Sequence, residues 1–488
     1  MVTTTTSTGQ LAPVRFARRS SRGFAFGLSK AQLSAVGIAF MVFATAVVTS
    51  RGFGVVATSP VWGTALLVAY VPAQGRKIID WLPVVLHWWL RKSVGQHRFR
   101  ARPLRPRPAG TLALPGDAAR LRALIDEATG AALVHDPHLG TLTAALQVQH
   151  GAFVLVDPAT QTARVDAWGR VLGGLATHHR GITRVQVLER AVPDGGVDVV
   201  AWWTRNGHHE GSWMAHAYTE LLAQSTPVAE RHETLVAISL SLSAAARAIR
   251  EYGGGLPGAA AVMRERMRSF EAAIRSAELT PAGWLTDTGL AWVLRTAYDP
   301  DAVRRLDGKP VGRKPATAGP LAIDEEWTRL RSDSGWHAAL WVTEWPRLEV
   351  VPGFLWPLVL APQVRRSLSI VLEPVPTAIA LKEVRRERFE HASDQINRDK
   401  HGQITDYATV REHEDVNQRE RELVSGHGEL RYAAFVAVSA PTEDELTAAV
   451  DEITNAAIES YCEVRVLWGE QAAGFAAAAL PLCRGIWS

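Results

Sequence analysis

The longest apolar stretches of the chain lie near its beginning and follow one another closely. Residues 31–50 carry no charged side chain, and after Arg51 a second uncharged run reaches Gly75. Each run is long enough to cross a hydrocarbon core of about 30 Å as a helix. A single apolar run could be a secretory signal peptide, but the second run favours a transmembrane helical hairpin over residues 31–75.

The charges on either side of these runs predict the orientation of the hairpin. Residues 1–30 form a basic arm with five Lys or Arg residues and no acid, and more Lys and Arg follow the second run. Positive residues accumulate on the cytoplasmic side of a membrane. We therefore expect a multi-pass protein of the cytoplasmic membrane, with both termini and the main body in the cytoplasm.

Residues 76–108 combine an interfacial segment with a basic linker. Three tryptophans lie among aliphatic residues in residues 78–92, as is typical of a segment at the membrane surface. The stretch that follows is rich in proline and arginine, which favours an extended linker. Contact with anionic lipid is the favoured role of its arginines, and contact with nucleic-acid phosphates is the alternative. These arginines are Arg98, Arg100, Arg102, Arg105 and Arg107.

Beyond the linker, apolar runs of strand length alternate with helical patterns, which predicts an α/β (α+β) cytoplasmic body. The pattern divides it into a first lobe at residues 109–305, a linker loop at 306–322 and a second lobe at 323–488. Strands are predicted at residues 144–148, 152–156, 183–188, 235–242, 336–343, 367–373, 432–439 and 464–468. Helices are predicted at residues 163–177, 241–255, 259–277, 287–298, 378–398, 407–424 and 441–461. The last helix would join two strands in a β–α–β unit.

Charge is divided unevenly along the chain. Residues 1–107 contain fifteen Lys or Arg and one acid, for a net charge of +14, whereas residues 108–488 carry a net charge of −10. The two parts are therefore expected to face different partners. The only cysteines, Cys462 and Cys483, are too few for a disulfide framework or a four-cysteine zinc site, and they fit a reducing compartment.

The motifs that would indicate catalysis are incomplete. The G-x-G-x-x-G at residues 253–258 follows a helical pattern and contains a proline, so it predicts the stop of a helix rather than a dinucleotide site. Gly308-Lys309 precedes a proline and lacks the earlier glycine of a P-loop. Trp213 stands where the second histidine of a zinc-binding H-E-x-x-H would lie. We therefore expect no catalytic residue, cofactor or metal site.

The carboxyl half carries a family resemblance. It runs from LSIVLEPVP through two long charged helical patterns to YAAFVAVSAPTEDELTAAVDEITNAAIES and then EQAAGFAAAALPL. This order resembles the amino-terminal, non-motor domain of conjugation and type IV secretion ATPases. The amino-terminal hairpin is similar to the small two-span membrane protein that partners such an ATPase. Taken together, the chain resembles an actinobacterial membrane protein of integrative conjugative elements.

This resemblance implies a non-enzymatic adaptor that anchors and positions a separate motor ATPase among other secretion or conjugation membrane subunits, in an oligomeric complex. In the resembled ATPases the end of this domain leads directly into the motor. The matching residues are therefore the candidate partner interface: Gln471, Phe475, Leu480, Pro481 and Leu482. The alternative is that this alanine-rich tail packs on its own domain. Other functions left open are a component of a type VII secretion membrane complex and a membrane-anchored enzyme.

Overall fold

The computed structural model places the chain in two compact units. One unit comprises Met1–Phe16 and His97–Ser488 and is called the body, and the other, Ala17–Gln96, is called the amino-terminal unit. The structure describes residues 16, 29–73, 76–102, 108–151, 153, 155–177, 181–193, 197–207, 212–225, 230–305, 314–361, 364–400, 407–425 and 428–485.

The amino-terminal unit is built from two helices and two very short strands. These elements are α1 (Lys30–Tyr70), β1 (Pro72–Ala73), β2 (Arg76–Lys77) and α2 (Ile78–Ser93). The side chain of Ser29 accepts a hydrogen bond from the backbone of Gln32 and caps the start of α1. Pro83 lies inside α2 without interrupting it, so the interfacial segment forms one continuous helix.

Helix α1 folds back on itself. A straight helix of its 41 residues would be about 60 Å long. However, Gln32 Nε2 donates a hydrogen bond of 2.7 Å to the carbonyl of Ala69, and the ring centroids of Phe43 and Trp62 lie 5.7 Å apart. The chain must therefore reverse between these contacts. Its two arms contain candidate membrane spans at Ala31–Thr49 and Phe53–Tyr70, which qualify by length and composition.

The body has a mixed α+β fold around one antiparallel sheet. Its described strands are β3 (Arg98–Arg100), β4 (Arg122–Ile125), β5 (Ala132–Asp136), β6 (Thr141–Gln149), β7 (Ile182–Pro193), β8 (Glu230–Ser241), β9 (Thr280–Trp284), β10 (Ala322–Glu325), β11 (Leu330–Ser332), β12 (Gly335–Glu344), β13 (Arg365–Val375), β14 (Glu429–Ala440) and β15 (Glu463–Val466). Their order is β3-β10-β11-β12-β14-β13-β7-β8-β6-β5-β4, with β15 paired to β12 and β9 to β6.

The body also contains helices on its described residues. They are α3 (Pro158–Thr177), α4 (Val197–Asn206), α5 (Trp213–Ser225), α6 (Ala246–Glu251), α7 (Gly255–Ser276), α8 (Asp287–Tyr298), α9 (Ala302–Arg305), α10 (Pro315–Ala318), α11 (Trp356–Val359), α12 (Thr377–Lys400), α13 (Tyr407–Val424), α14 (Glu443–Glu459) and α15 (Gln471–Ala479).

The body contains two repeats with the same order of strands and the same strand pairing, and the short helix α6 of repeat 1 has no counterpart in repeat 2. Repeat 1 runs from β4 to α8, and repeat 2 runs from β10 to α15. In each repeat three strands form a meander, the fifth strand pairs with the third and fourth, and the sixth returns to the third. Two helices separate the fourth and fifth strands in both. A short sequence match follows this equivalence, because Ala-Ala-Leu-x-Val occurs at residues 144–148 and 338–342.

The register between the repeats fits a local two-fold axis. Ile238 in β8 and Val438 in β14 occupy equivalent positions in the two repeats. The β7 residue that pairs with Ile238 lies three positions before Leu188, and the β13 residue that pairs with Val438 lies three positions before Ser369. Leu188 and Ser369 are therefore equivalent residues. They are also paired with each other where β7 meets β13, as an axis through that point requires. The body thus resembles a two-fold dimer contained within one chain.

Matching positions of the two repeats form the core. On one face of the sheet, residues such as Leu146 pack beneath α3 and α7, and the equivalent Leu340 packs beneath α11 and α14. On the other face, α8 and α15 share a core in which the ring centroids of Tyr298 and Phe475 lie 5.0 Å apart. Both repeats therefore depend on this shared layer.

Comparison with the sequence predictions shows where local patterns were insufficient. Helices α8 and α13 begin and end at the predicted residues. The strand predicted at residues 152–156 is wrong for the part described, because β6 ends at Gln149 and Phe153 lies in a bend before α3. In the predicted β–α–β unit, β14 and β15 are not neighbours, since β12 pairs with both.

The glycine-rich segment joins α6 and α7, as the helix-stop interpretation predicted. Gly253, Gly254 and Gly255 have φ angles of 91°, 75° and 62°, a region that other residues adopt at a cost. A Cβ at Gly258 would lie 2.6 Å from the carbonyl oxygen of Ile249. The glycines therefore serve a tight turn between helices, which lacks the strand that a dinucleotide loop requires.

Candidate functional surfaces

Helix α2 exposes a stripe of apolar side chains. Leu82, Leu86 and Trp89 recur at helical spacing, and between 55% and 66% of each is exposed. Trp81 and Trp88 on the neighbouring face of the helix are only partly exposed. Apolar stripes of this kind with basic residues nearby are typical of helices that lie in a membrane surface. Arg91 and Lys92 in the last turn provide such residues.

The base of the α1 hairpin is closed by polar contacts. Lys77 Nζ donates a hydrogen bond of 3.0 Å to Gln32 Oε1, and the side-chain Nε2 of Gln32 donates one to the carbonyl of Ala69. Gln32 is 1% exposed. One glutamine therefore links the start of the first apolar run, the end of the second and the strand that precedes α2.

Two of the described arginines of the predicted linker lie on a strand of the body. Arg98 and Arg100 lie on β3, which pairs with β10 at the edge of the sheet. Both oxygens of Asp324 accept hydrogen bonds of 2.8 Å from Arg100. Over these residues the predicted extended segment is a β-strand at the sheet edge, because β10 offers it a strand partner and a counter-charge. Arg102 is exposed, and Arg105 and Arg107 lie outside the described residues.

Phe16, which precedes the hairpin, packs on the body. Its ring centroid lies 5.2 Å from that of Trp345, 5.5 Å from Phe354 and 6.0 Å from Tyr432. Tyr432 is 37% exposed, and its partial burial raises the pKa of its phenol to about 12. The body therefore includes residues that precede the amino-terminal unit in the sequence, at Phe16, and residues that follow it, from His97 onward.

The predicted partner interface at the end of the chain lies in the core. Gln471, Phe475, Leu480, Pro481 and Leu482 are all buried. Gln471 Oε1 accepts a hydrogen bond of 2.8 Å from the amide of Ala339, and Gln186 Nε2 donates one of 2.9 Å to the carbonyl of Leu480. The expectation of a docking surface here is corrected. The tail packs on its own domain because its small alanines let α15 approach the sheet closely.

A cluster of buried titratable groups lies where the repeats meet. Arg190 Nη1 lies 3.3 Å from Glu233, and its Nη2 donates a hydrogen bond of 2.7 Å to Thr296. Burial and the nearby Arg190 lower the pKa of Arg365 to about 9. The cavity beside them has a volume of about 10 Å³, which admits one water at most. The cluster is therefore suited to joining elements, not to binding a substrate.

The same region contains a buried histidine. The two ring nitrogens of His337 lie 2.6 Å from Ser332 Oγ and 2.7 Å from Ser439 Oγ. Burial, followed by the charge of Arg365, lowers the pKa of His337 to about 3. The imidazole is therefore neutral at neutral pH, and its hydrogen bonds join β11, β12 and β14.

Helices α4 and α5 carry exposed apolar residues that the sequence analysis missed. Trp202, Trp213 and Met214, here called the aromatic surface, are 56%, 77% and 63% exposed. The two helices pack through the rings of Trp203 and Tyr218, whose centroids lie 4.6 Å apart. Trp and Met are enriched in protein interfaces. In the sequence, these helices are rich in tryptophan, but their tryptophans do not recur with the helical period that would mark one face as exposed.

The equivalent helices of repeat 2 have a different surface. Helices α12 and α13 are bridged by ion pairs, including Arg419–Glu387 at 2.9 Å. Val384 on α12 and Val416 on α13 belong to a small buried core between the two helices, whereas Phe389 on α12 is exposed. The fold therefore accepts a charged helical pair at this position, so the aromatic surface of repeat 1 is not a general requirement of the repeat.

Within the described residues, no group of three or more His, Cys, Asp or Glu side chains is arranged to hold a metal ion. His208, His209 and Glu210 lie outside those residues. Comparison with protein-family models and with curated proteins finds no match for this chain.

Proposed function

We propose that this protein is a non-enzymatic adaptor of a conjugation or type IV secretion-like machine, held in the cytoplasmic membrane by its amino-terminal unit. The observation that carries the proposal is the apolar hairpin, with candidate spans at Ala31–Thr49 and Phe53–Tyr70. Helix α2 adds an apolar stripe that suits the membrane surface. The large body supplies the mass that such an anchor would hold beneath the membrane.

The position of Phe16 supports an even number of membrane crossings. Phe16 precedes both candidate spans, and Trp345, Phe354 and Tyr432 follow them, yet all four rings form one cluster. A chain that crosses the membrane between these segments must cross back. Two spans meet this condition, and the basic flanks favour the cytoplasmic side for the body.

The adaptor would recruit a separate motor ATPase, as the family resemblance implies. Because the tail at residues 471–482 is buried, we place the docking surface elsewhere, on the aromatic surface of α4 and α5. Its exposed tryptophans have the composition of an interface centre, where truncation costs most binding energy. Tethering raises the local concentration of the bound motor at the membrane.

Co-purification tests this function. The tagged full chain is extracted in detergent from host membranes, and bound proteins are identified by mass spectrometry. We expect a P-loop ATPase of the conjugation or secretion class. The triple variant Trp202→Ser, Trp213→Ser, Met214→Ser should lose it while keeping the wild-type melting temperature. Recovery of the chain only in the soluble fraction, or of no such ATPase with the membrane-bound chain, would refute the adaptor.

A matched control uses the equivalent helices of repeat 2. Phe389 on α12 is 76% exposed, and Phe389→Ser removes an exposed aromatic residue without touching α4 or α5. This variant should retain the ATPase. Equal loss in both variants would mean that surface hydrophobicity in general, rather than the aromatic surface, governs recovery.

A further inference from the structure

Repeat 1 contains an apolar cavity of about 350 Å³. Its walls include Val148 on β6, Phe153, Trp168 on α3, Val187 on β7 and Leu279. An ion pair of 3.4 Å between Arg164 and Glu278 lies at its rim. Cavities lined in this way bind apolar groups and orient them with a few polar contacts.

The internal symmetry identifies the counterpart of this cavity. His150 lines the cavity and directly follows β6, and Trp345 directly follows the equivalent β12. Glu278 and Tyr461 follow the equivalent helices α7 and α14, with φ angles of 58° and 55°. The cavity therefore corresponds to the end of repeat 2 where Trp345 lies.

In repeat 2 this end receives an aromatic side chain from a distant part of the chain. The Phe16 ring packs there against Trp345, Phe354 and Tyr432. Phe16 belongs to the basic arm, where Arg15, Arg18 and Arg19 surround it in sequence. The repeat fold thus uses this end to hold an aromatic residue of an arginine-rich segment.

We propose that the cavity of repeat 1 receives a phenylalanine from the basic amino-terminal arm of a second copy of this chain, as repeat 2 receives Phe16. The arm contains two further phenylalanines, Phe24 and Phe26, between Arg22 and Lys30. Its positive charge complements the net charge of −10 on residues 108–488. The body of each copy would then bind Phe16 of its own arm in repeat 2 and a phenylalanine of another copy's arm in repeat 1. This second contact would link neighbouring copies.

Fluorescence anisotropy tests this contact with a labelled peptide of residues 11–28 and the full chain in detergent. The peptide should bind saturably, and replacement of its three phenylalanines by alanine should weaken binding by about tenfold or more at unchanged charge. Absence of saturable binding, or equal affinity of the alanine peptide, would overturn the proposal, since charge alone would then explain any attraction.

Variants that fill the cavity locate the binding site. Val165→Trp and Leu279→Trp each place a larger side chain at the cavity wall, and each should weaken peptide binding by about tenfold. Two variants are used because either one alone could misfold. The melting temperature of each, compared with that of the wild type, shows whether it is folded. The control is Val351→Trp, in the open groove beside Phe354 in repeat 2, which should leave the affinity unchanged. Loss of binding in the control alone would assign the peptide to repeat 2.

The identity of the donor is tested by self-association. Mass photometry of the full chain in detergent should show oligomers that diminish in Val165→Trp and Leu279→Trp. A chain that remains monomeric at concentrations where the peptide binds would overturn the second copy as donor.

Discussion

The imidazole of His337 lies at the centre of the body, where burial keeps it neutral. Its pKa is about 3 in the folded protein, whereas an unfolded histidine has a pKa of about 6.5. As the pH falls below about 6.5, the unfolded chain binds a proton that the folded chain does not. Stability is therefore lost on acidification, between about pH 6.5 and pH 3.

This difference predicts a pH-dependent stability. Between about pH 7 and about pH 5.5, His337 should contribute a loss of about 1 kcal/mol to the free energy of unfolding. Urea unfolding of the full chain in detergent at both pH values measures it, and His337→Gln should show a correspondingly smaller loss. An equal loss in the variant would mean that His337 does not remain neutral in the folded state.

Phe475 provides a second prediction at the residue scale. Its ring is 1% exposed and packs against Tyr298 and His337, so Phe475→Ala leaves a cavity between α15 and the sheet. We expect the free energy of unfolding to fall by about 3–5 kcal/mol, measured by chemical denaturation. The exposed Phe389→Ala should change it by less than about 0.5 kcal/mol. Equal stability of Phe475→Ala and the wild type would contradict the burial of the tail.

At the scale of elements, α1 and β3 both derive their arrangement from distant contacts. Helix α1 is uncharged over two long runs, but its reversal depends on contacts such as Gln32 with Ala69. Strand β3 lies in a segment rich in arginine and proline. It is a strand because β10 and Asp324 lie beside it.

Cysteine crosslinking can check the reversal of α1. In a background with Cys462→Ala and Cys483→Ala, the pair Gln32→Cys and Ala69→Cys should be joined by a short thiol crosslinker, because their native groups are in contact. In a straight helix these residues would be about 55 Å apart. The control pair, Gln32→Cys with Phe53→Cys, should remain unlinked, since Phe53 lies near the turn. Equal linkage of both pairs would indicate crosslinking between molecules.

At the scale of the whole molecule, one repeated architecture supports two different surfaces. Repeat 1 has an apolar cavity and the aromatic surface, while repeat 2 has a charged helical pair and receives Phe16. Because α8 and α15 share one core, the two repeats should unfold together. Differences between them are concentrated in the inserted helices and loops, where sequence changes leave the sheet intact.

The proposed topology makes a prediction for the whole molecule in cells. Single cysteines replacing Ser20 and Pro106, before and after the hairpin, should resist an impermeant thiol reagent applied to intact cells and react after the membrane is opened. In contrast, a cysteine replacing Gly52 should be accessible from outside, since it lies between the two candidate spans. Labelling of Ser20→Cys or Pro106→Cys in intact cells would contradict the cytoplasmic orientation.

Sequence by itself determined the features that depend on local composition and spacing. The two apolar runs follow from the absence of charge over a length that spans a membrane. Helices such as α8 and α13 follow from their helical periodicity, and Gly253–Gly255 from the backbone freedom of glycine. Each of these properties acts over a few neighbouring residues, so the pattern of side chains was sufficient.

The tertiary structure alone decided which distant segments meet. The pairing of Leu188 with Ser369, the place of Phe16 and the burial of Phe475 join residues far apart in the chain. No local pattern encodes such contacts, because they depend on the shape and register of the assembled sheet. Apart from the short match between β6 and β12, the repeats are not recognisable from their sequences, because many different apolar residues can fill an equivalent buried position. The tail likewise has the alanine-rich composition of either a core helix or a docking segment, and only its packing on the sheet distinguishes them.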